Sequence, residues 1–480
     1  MSTSPFSFFK AYDIRGTYPD IDSRIYYWTG YGLISIILAP ENLSSKVNIM
    51  HDIRYTSEEF YSALAQGIEA AGGEVVSLGL GSTDLLYAAC QQSDLAGVMV
   101  TASHNPKDDN GIKIVKQHPQ MLGLGSGLEK IRDFVLQKLE TEADFRPDKS
   151  IRAYSDEAKS NLLNFYTDKL KKVGNIDAVN QILKSRNIKL KIVVDCGNAM
   201  GGFIMPFVEE LYDGQIEFVK LFWDLDGNFP NHQADPLNFE TLKSLQAKIL
   251  ETKADLGVAI DGDGDRIFFL DSQANIMKGD ETVAILTKNI LEKYFSNSEQ
   301  NGNPVILFDQ RSRSVVPKTI TECAGIPVPT KVGHTNFKQN MIKYDAQYGG
   351  EVSGHHYFRE FGFMDSAAMT LVSFIEVFAK NQHDLLDFHH KIQQSYFTTA
   401  GEINFHLKPD LSFDRVKSLI LNAFPNINYN LLDGLTIYQD DWQANIRMSN
   451  TEPLLRLNLE TIGEDKVNEK VDQIKLILGL

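Results

Sequence analysis

Three times along the chain an apolar run ends in an aspartate and passes into a polar loop and a helix-like segment, at residues 47–52, 191–195 and 305–309. Three times a later, glycine-led apolar run ends in a conspicuous polar motif. These are Gly97-Val-Met-Val-Thr-Ala-Ser-His-Asn-Pro106, Gly257-Val-Ala-Ile-Asp-Gly-Asp-Gly-Asp-Arg266 and Gly349-Gly-Glu-Val-Ser-Gly-His355. Similarity at so long a period predicts three related α/β units, with the three motifs at matching positions where they can face one cleft. After about residue 395 the texture changes. Residues 402–407 read as a strand, 413–424 as a helix, and a turn at Asp433-Gly434 leads to two more strand-like runs. Val467, Val471, Ile474 and Leu478 recur at helical spacing. The expected fold is therefore α/β: three related mixed α/β domains plus a smaller C-terminal α+β domain around a central cleft. The polar stretch 140–156 reads as a linker and 296–304 as a loop inside the third unit, and the expected domains are 1–150, 151–275, 276–394 and 395–480.

A length of 480 residues suits several cores, and an apolar content of 43% is ample to fill them. A net charge of −16 argues against nucleic acid or an anionic membrane as the main partner. An anionic substrate would need a local cationic cluster. Cys90, Cys196 and Cys323 are widely spaced, form no metal-thiolate motif and suit a reducing compartment. The apolar stretch 26–39 is shorter than the ~20 residues of a membrane helix and reads as a core helix. With no secretory signal apparent, the expectation is a soluble, cytoplasmic protein.

Asp261-Gly-Asp-Gly-Asp-Arg266 carries the strongest chemical signal. Three carboxylates alternate with glycines at the end of a buried strand, where open α/β sheets place their chemistry. The glycines let the backbone curl until Asp261, Asp263 and Asp265 surround a hard dication. An EF-hand would need Gly at its sixth position and Glu at its twelfth, whereas Arg266 and Ser272 stand there. A strand-end Asp-x-Asp phosphohydrolase, with Asp261 as nucleophile, is a rival reading. Ser103 lies on the loop before Pro106 and lacks a G-x-S-x-G elbow, so a phosphoryl carrier suits it better than a hydrolase nucleophile. Such a phosphoserine needs a nearby cation. In Asn110-Gly-Ile-Lys113 a lysine follows a glycine turn from which it can swing toward that loop, and Tyr12-Asp-Ile-Arg-Gly16 presents Arg15. Arg266 can brace a transferring phosphate. His334 and His355 suit substrate hydrogen bonding, and Glu351 and Ser353 alternate on one strand face to grip sugar hydroxyls. Arg447, Ser449, Asn450 and Thr451 combine a forked cation with neutral donors, as a phosphate cradle requires or as a simple turn would also show.

TASHNP, NGIK, DGDGDR, GEVSGH and RMSNTEP, in this order across nearly the whole chain, resemble the α-D-phosphohexomutases, specifically the phosphomannomutase/phosphoglucomutase branch. The resemblance implies a four-domain isomerase that interconverts hexose 6-phosphate and hexose 1-phosphate, of mannose and/or glucose, through a phosphoserine and a hexose 1,6-bisphosphate. It implies that Ser103 carries the phosphoryl group and completes the shell of one Mg2+ per chain held by Asp261, Asp263 and Asp265. Arg15 and Lys113 match acid/base residues, Arg266 and His104 catalytic cleft residues. Tyr12, Arg311, His334, Glu351, Ser353, His355, Arg447, Ser449, Asn450 and Thr451 match substrate-binding positions. Arg311 stands where some relatives have lysine, and Val352 replaces the more frequent Met of GEMSGH. The implied partners are small hexose phosphates with hexose 1,6-bisphosphate as activator, with no nucleic acid and no membrane, for a monomer or weak homodimer. Phosphoglucosamine mutase, a dehalogenase-like sugar phosphatase and a non-catalytic sugar-phosphate sensor are the alternatives.

Overall fold

The computed structural model describes residues 5–117, 120–297, 302–398, 402–406, 411–448, 454–463 and 465–480. It divides into two units, Met1–Met277 with Ser353–Lys380, and Lys278–Val352 with Asn381–Leu480. Among the described residues no helix is long and apolar enough to cross a membrane.

The first unit holds two sheets of one plan. In the first, β1 (Ile14–Thr17), β2 (Lys46–His51), β3 (Glu74–Leu80), β4 (Ala96–Val100) and β5 (Asp109–Lys116) lie in the order β1-β5-β4-β2-β3. In the second, β6 (Leu190–Asp195), β7 (Ile216–Leu221), β8 (Leu256–Ile260) and β9 (Ile267–Asp271) lie in the order β9-β8-β6-β7. Each has a parallel trio whose third strand turns into an antiparallel neighbour. The stretch 26–39 is core, as expected: α1 (Ser23–Gly32) runs into a π-helical turn at Leu33–Leu38 and buries Tyr26, Trp28, Leu33, Ile34, Ile37 and Leu38. Tyr26 stacks on Phe60 of α2 (Ser57–Ala70), ring centroids 4.3 Å apart.

In the second unit β10 (Val305–Asp309), β11 (Ile326–Thr330) and β12 (Tyr348–Gly350) repeat the parallel trio in the order β11-β10-β12. A separate antiparallel sheet contains β13 (Ile403–His406), β14 (Leu435–Tyr438), β15 (Trp442–Met448) and β16 (Leu454–Thr461). It pairs with the helices Phe413–Ala423 and Asp465–Leu478, which bury Val416, Ile420, Val471 and Ile474 against it.

The glycine that leads each third strand has one physical cause in all three repeats. Each lies under a helix that presses an i, i+4 pair of side chains onto the strand. A Cβ at Gly97 would stand 2.4 Å from Cys90 Sγ with Leu86 beside it, and one at Gly257 would stand 2.2 Å from Ile249 Cδ1 with Leu245 beside it. At Gly349 it would stand 3.0 Å from Met341 Sδ and 3.4 Å from Phe337. Hydrogen at these positions lets helix and strand approach.

Candidate active site

The acid loop between β8 and β9 curls around one of its own carboxylates. Asp261 Oδ1 accepts from the backbone N–H groups of Gly264, Asp265 and Arg266, each at 3.1 Å. Gly264 supplies the turn with φ +80, and a Cβ on Gly262 would stand 2.3 Å from the carbonyl oxygen of Ser103. The result gathers one oxygen from each of Asp261, Asp263 and Asp265 within 4.8 Å of one another, all buried. Asp263 Oδ1 and Asp265 Oδ1 accept no hydrogen bond. Three hard oxygen donors, two of them unsatisfied inside the protein, fit a small divalent cation such as Mg2+.

Lys113 faces these acids from β5, its Nζ 2.6 Å from both Asp263 Oδ2 and Asp265 Oδ2. Residues 110–113 lie inside β5 and form no turn, so the lysine does not swing on a hinge. Pairing of Met99 with Lys113 across β4 and β5 sets it in place. Burial alone would lower the Lys113 pKa, yet Asp263 and Asp265 hold it above its ordinary value. Burial would likewise raise Asp265, but Lys113 holds its carboxyl well below the usual range. Asp261 has no lysine contact of this kind, and burial with Asp265 and Asp263 pushes it up. Thr83, at the start of α3 (Thr83–Ser93), donates from its backbone to Asp263 O at 2.9 Å and from its hydroxyl to Asp263 Oδ2.

Ser103 is buried with φ +53, a left-handed conformation that a serine holds only when its surroundings impose it. Its Oγ donates to Asp261 Oδ2 at 3.2 Å and lies 3.1 Å from His104 Nδ1. Burial, with Arg266 and Arg15 beside it, pushes His104 far below its ordinary pKa, so the ring is neutral. Arg15 lies on β1 opposite Gly111 and crosses over β5. It pairs with Asp13 at 2.7 Å and donates to Asn105 Oδ1 at 2.8 Å. Tyr12 is half-buried just before this strand.

Arg266 Nε donates to His355 Nε2 at 2.9 Å, which leaves the ring proton on Nδ1, 2.8 Å from Asp365 Oδ2. Asp365 went unnoticed in the sequence because Phe363-Met-Asp-Ser366 has no motif around it. Neighbouring Ser366 donates to Asp84 Oδ2 at 2.5 Å, as does Tyr166 at 2.5 Å, and burial raises the Asp84 carboxyl to about 6 against these bonds. The expected alternation of Glu351 and Ser353 on a strand is not found. β12 closes at Gly350, and the chain turns through Gly354 with φ +87, whose carbonyl accepts from Ile267 N at 3.1 Å. Ser353 therefore sits half-buried in a turn next to His355.

The remaining expected residues belong to the second unit. Glu351 is buried and accepts from Gly333 N at 3.1 Å, beside His334, the first residue of the helix His334–Lys343. Arg311 is clamped to Asp309, with 2.5 Å between Nη2 and Oδ2. Arg447 pairs with Glu402 at 2.7 Å. Arg456, directly across the β15–β16 ladder, approaches the same carboxylate at 3.3 Å. Ser449, Asn450 and Thr451 lie outside the described residues.

Comparison with known proteins identifies the class to which this fold and acid-serine site belong. Family models described as phosphoglucomutase/phosphomannomutase α/β/α domains I, II and III match residues 7–140, 164–274 and 278–396. A phosphomannomutase of Vibrio cholerae is 32% identical, covering 97% of this chain and 98% of its own. A protein named for phosphohexose mutases in Xanthomonas campestris is 35% identical, covering 95% of each. The crystal structure of a phosphoglucomutase/phosphomannomutase family protein from Burkholderia thailandensis superimposes with a TM-score of 0.80 at 26% identity, covering 98% of this chain and 97% of its own. The chain belongs to the phosphoglucomutase/phosphomannomutase family of the α-D-phosphohexomutase superfamily, and it is an enzyme of the isomerase class.

Proposed function

We propose that this enzyme interconverts hexose 6-phosphate and hexose 1-phosphate, of mannose and/or glucose, with Ser103 as phosphoryl carrier. The observation that carries the reading is the Ser103 hydroxyl 3.2 Å from Asp261, on the edge of the acid triplet. In the first half-reaction the Oγ–P bond of phosphorylated Ser103 breaks, Oγ taking up a proton, and a bond forms from phosphorus to a sugar hydroxyl, which loses its own. The product is a hexose 1,6-bisphosphate. After the intermediate turns over, its other phosphoryl group passes back to Ser103 Oγ and the vacated sugar oxygen regains a proton.

Asp261, Asp263 and Asp265, with Ser103, would hold one Mg2+. When bound, that ion supplies charge neutralisation for the transferring group. Lys113 and Arg266 bring two further positive charges to the loop. His104 meets the serine oxygen at Nδ1, and Arg15 and Lys113 serve proton transfer at the sugar. In the second unit Glu351, His334 and Arg311 suit the sugar, and Arg447, Ser449, Asn450 and Thr451 the phosphate that is not reacting. Ser353 and His355, with Tyr12, complete the set of substrate contacts. On this reading segments 1–150, 151–275, 276–394 and 395–480 bear the phosphoserine, metal, sugar and phosphate loops of a cytoplasmic monomer or weak homodimer, activated by hexose 1,6-bisphosphate.

The test combines a coupled assay on mannose, glucose and glucosamine 1-phosphates, with Mg2+ and glucose 1,6-bisphosphate, and mapping of the phosphorylated residue. Ser103→Ala is expected to abolish steady turnover, and phosphate on the native enzyme to survive hydroxylamine as a serine ester does. Normal turnover of Ser103→Ala, or a hydroxylamine-labile phosphate on Asp261, refutes the assignment. Preference for glucosamine 1-phosphate would make the enzyme a phosphoglucosamine mutase.

A further inference from the structure

Arg54 is a buried arginine that no motif singles out, and it bonds the backbone of the serine loop, not a side chain assigned above to substrate or metal. Its Nη2 donates to the carbonyl oxygens of Ser103 at 2.8 Å and Asn105 at 2.7 Å. Its Nη1 donates to those of Pro106 and, at 2.9 Å, Asp109. Gln233 Nε2 donates to His104 O at 2.6 Å and Arg15 Nη1 to Ala102 O at 3.3 Å. The carbonyls of five consecutive residues, 102–106, are thus each held by a side chain from outside the loop. Carbonyl oxygens repel phosphate. Tying them all to donors turns those dipoles away from Ser103 Oγ and fixes the left-handed backbone there.

The clamp is itself anchored. Asp52, at the end of β2, accepts from Arg54 N at 3.0 Å, from Arg54 Nε at 3.2 Å and from Ser57 Oγ at 2.5 Å. The ring of Phe229 lies 5.2 Å from the guanidinium. The internal repeat shows what is particular here. Asp309 binds Arg311 through the same backbone N–H and Nε contacts, at 2.8 and 3.1 Å. Asp195 binds Gly197 N at 2.9 Å, and His232 Nε2 fills the place of the guanidinium at 3.0 Å. Of these three strand-end aspartates, the one in the serine-bearing repeat holds an arginine whose free end is spent on the motif loop.

We propose that Arg54 is a positioning residue for phosphoryl transfer: it fixes Ser103 for in-line attack by binding the loop's carbonyls. This rests on the reading that Ser103 carries the phosphoryl group. Arg54→Lys keeps the charge but cannot span four carbonyls. Displacing the serine by about 1 Å should lower both kcat and the rate of Ser103 phosphorylation by about 100-fold, with KM changed by no more than about threefold. The native enzyme, Arg54→Lys, Arg54→Ala and Gln233→Ala are incubated with glucose 1,6-bisphosphate and Mg2+. Phosphate on Ser103 is followed by mass spectrometry, kcat and KM by coupled assay, and folding by melting. Millimolar guanidinium should restore part of the turnover of Arg54→Ala, and Lys107→Ala, an exposed side chain on the same loop, should behave as native. A folded Arg54→Lys that phosphorylates Ser103 and turns over within about twofold of native overturns the inference, as does a loss confined to KM. Should the Arg54 variants not fold, Gln233→Ala decides: a kcat lowered about tenfold supports the clamp, and an unchanged one overturns it. If the native enzyme carries no phosphate on Ser103, the carrier reading falls and the clamp with it.

Discussion

Replacing Lys113 with methionine keeps the side chain as far as Cε and removes the ammonium that contacts both Asp263 and Asp265. Both contacts are 2.6 Å and buried. At an effective dielectric of about 20 each is a Coulomb attraction of about 6 kcal/mol, most of it offset by dehydrating the ammonium. Losing one partner of such a buried cluster leaves uncompensated charge and costs about 3–5 kcal/mol. In EDTA at pH 8 that should lower the melting temperature of Lys113→Met by at least about 6 °C. The deficit should narrow toward pH 5. The abandoned carboxyls then have folded pKa values above their unfolded ones, so the penalty is greatest when they are ionised and fades as they take up protons. Added Mg2+ should raise the melting temperature of Lys113→Met more than that of the native enzyme, because no ammonium already neutralises the same two carboxylates. Calorimetry with and without Mg2+ measures both effects. A Lys113→Met enzyme melting within about 2 °C of native in EDTA, or gaining less from Mg2+, refutes the view that this lysine is the counter-ion of the acid triplet in metal-free solution.

Two other perturbations follow from single contacts. The folded protein holds a proton on Asp84 up to about pH 6, against 3.8 for a free carboxyl, so stability should fall by about 3 kcal/mol as pH rises through that window. Asp84→Asn lacks this slope: melting curves of native and variant that run parallel from pH 4 to pH 7 would refute the assignment. Asp365→Asn weakens the hold on His355, which orients Arg266. It should lower kcat by about 10–100-fold with little change in KM, and a loss under about twofold would show that Asp365 does not support the site.

The three repeats were legible because each of their signals is local. An apolar run ending in aspartate, and a glycine where a helix bears on a strand, recur at fixed places whatever the surrounding sequence. The acid triplet was legible for the same reason, since alternation of aspartate with glycine folds on itself through contacts three to five residues apart. Glu351 and Ser353 read as one strand face because the alternation of polar side chains there resembles strand periodicity. The turn is instead imposed by contact of Gly354 with Ile267, 87 positions away.

By itself, then, the chain's pattern determined the strands, their glycine-led motifs and the inventory of reactive groups, because these depend on neighbours along the backbone. The tertiary structure alone decided which of those groups meet. Ser103 finds Asp261 across 158 positions and Lys113 finds Asp263 across 150. Arg54 serves the serine loop from 49 positions upstream. Such pairings arise from strand order and register, which bring distant loops to the same ends of adjoining sheets, and neither is written in any single segment.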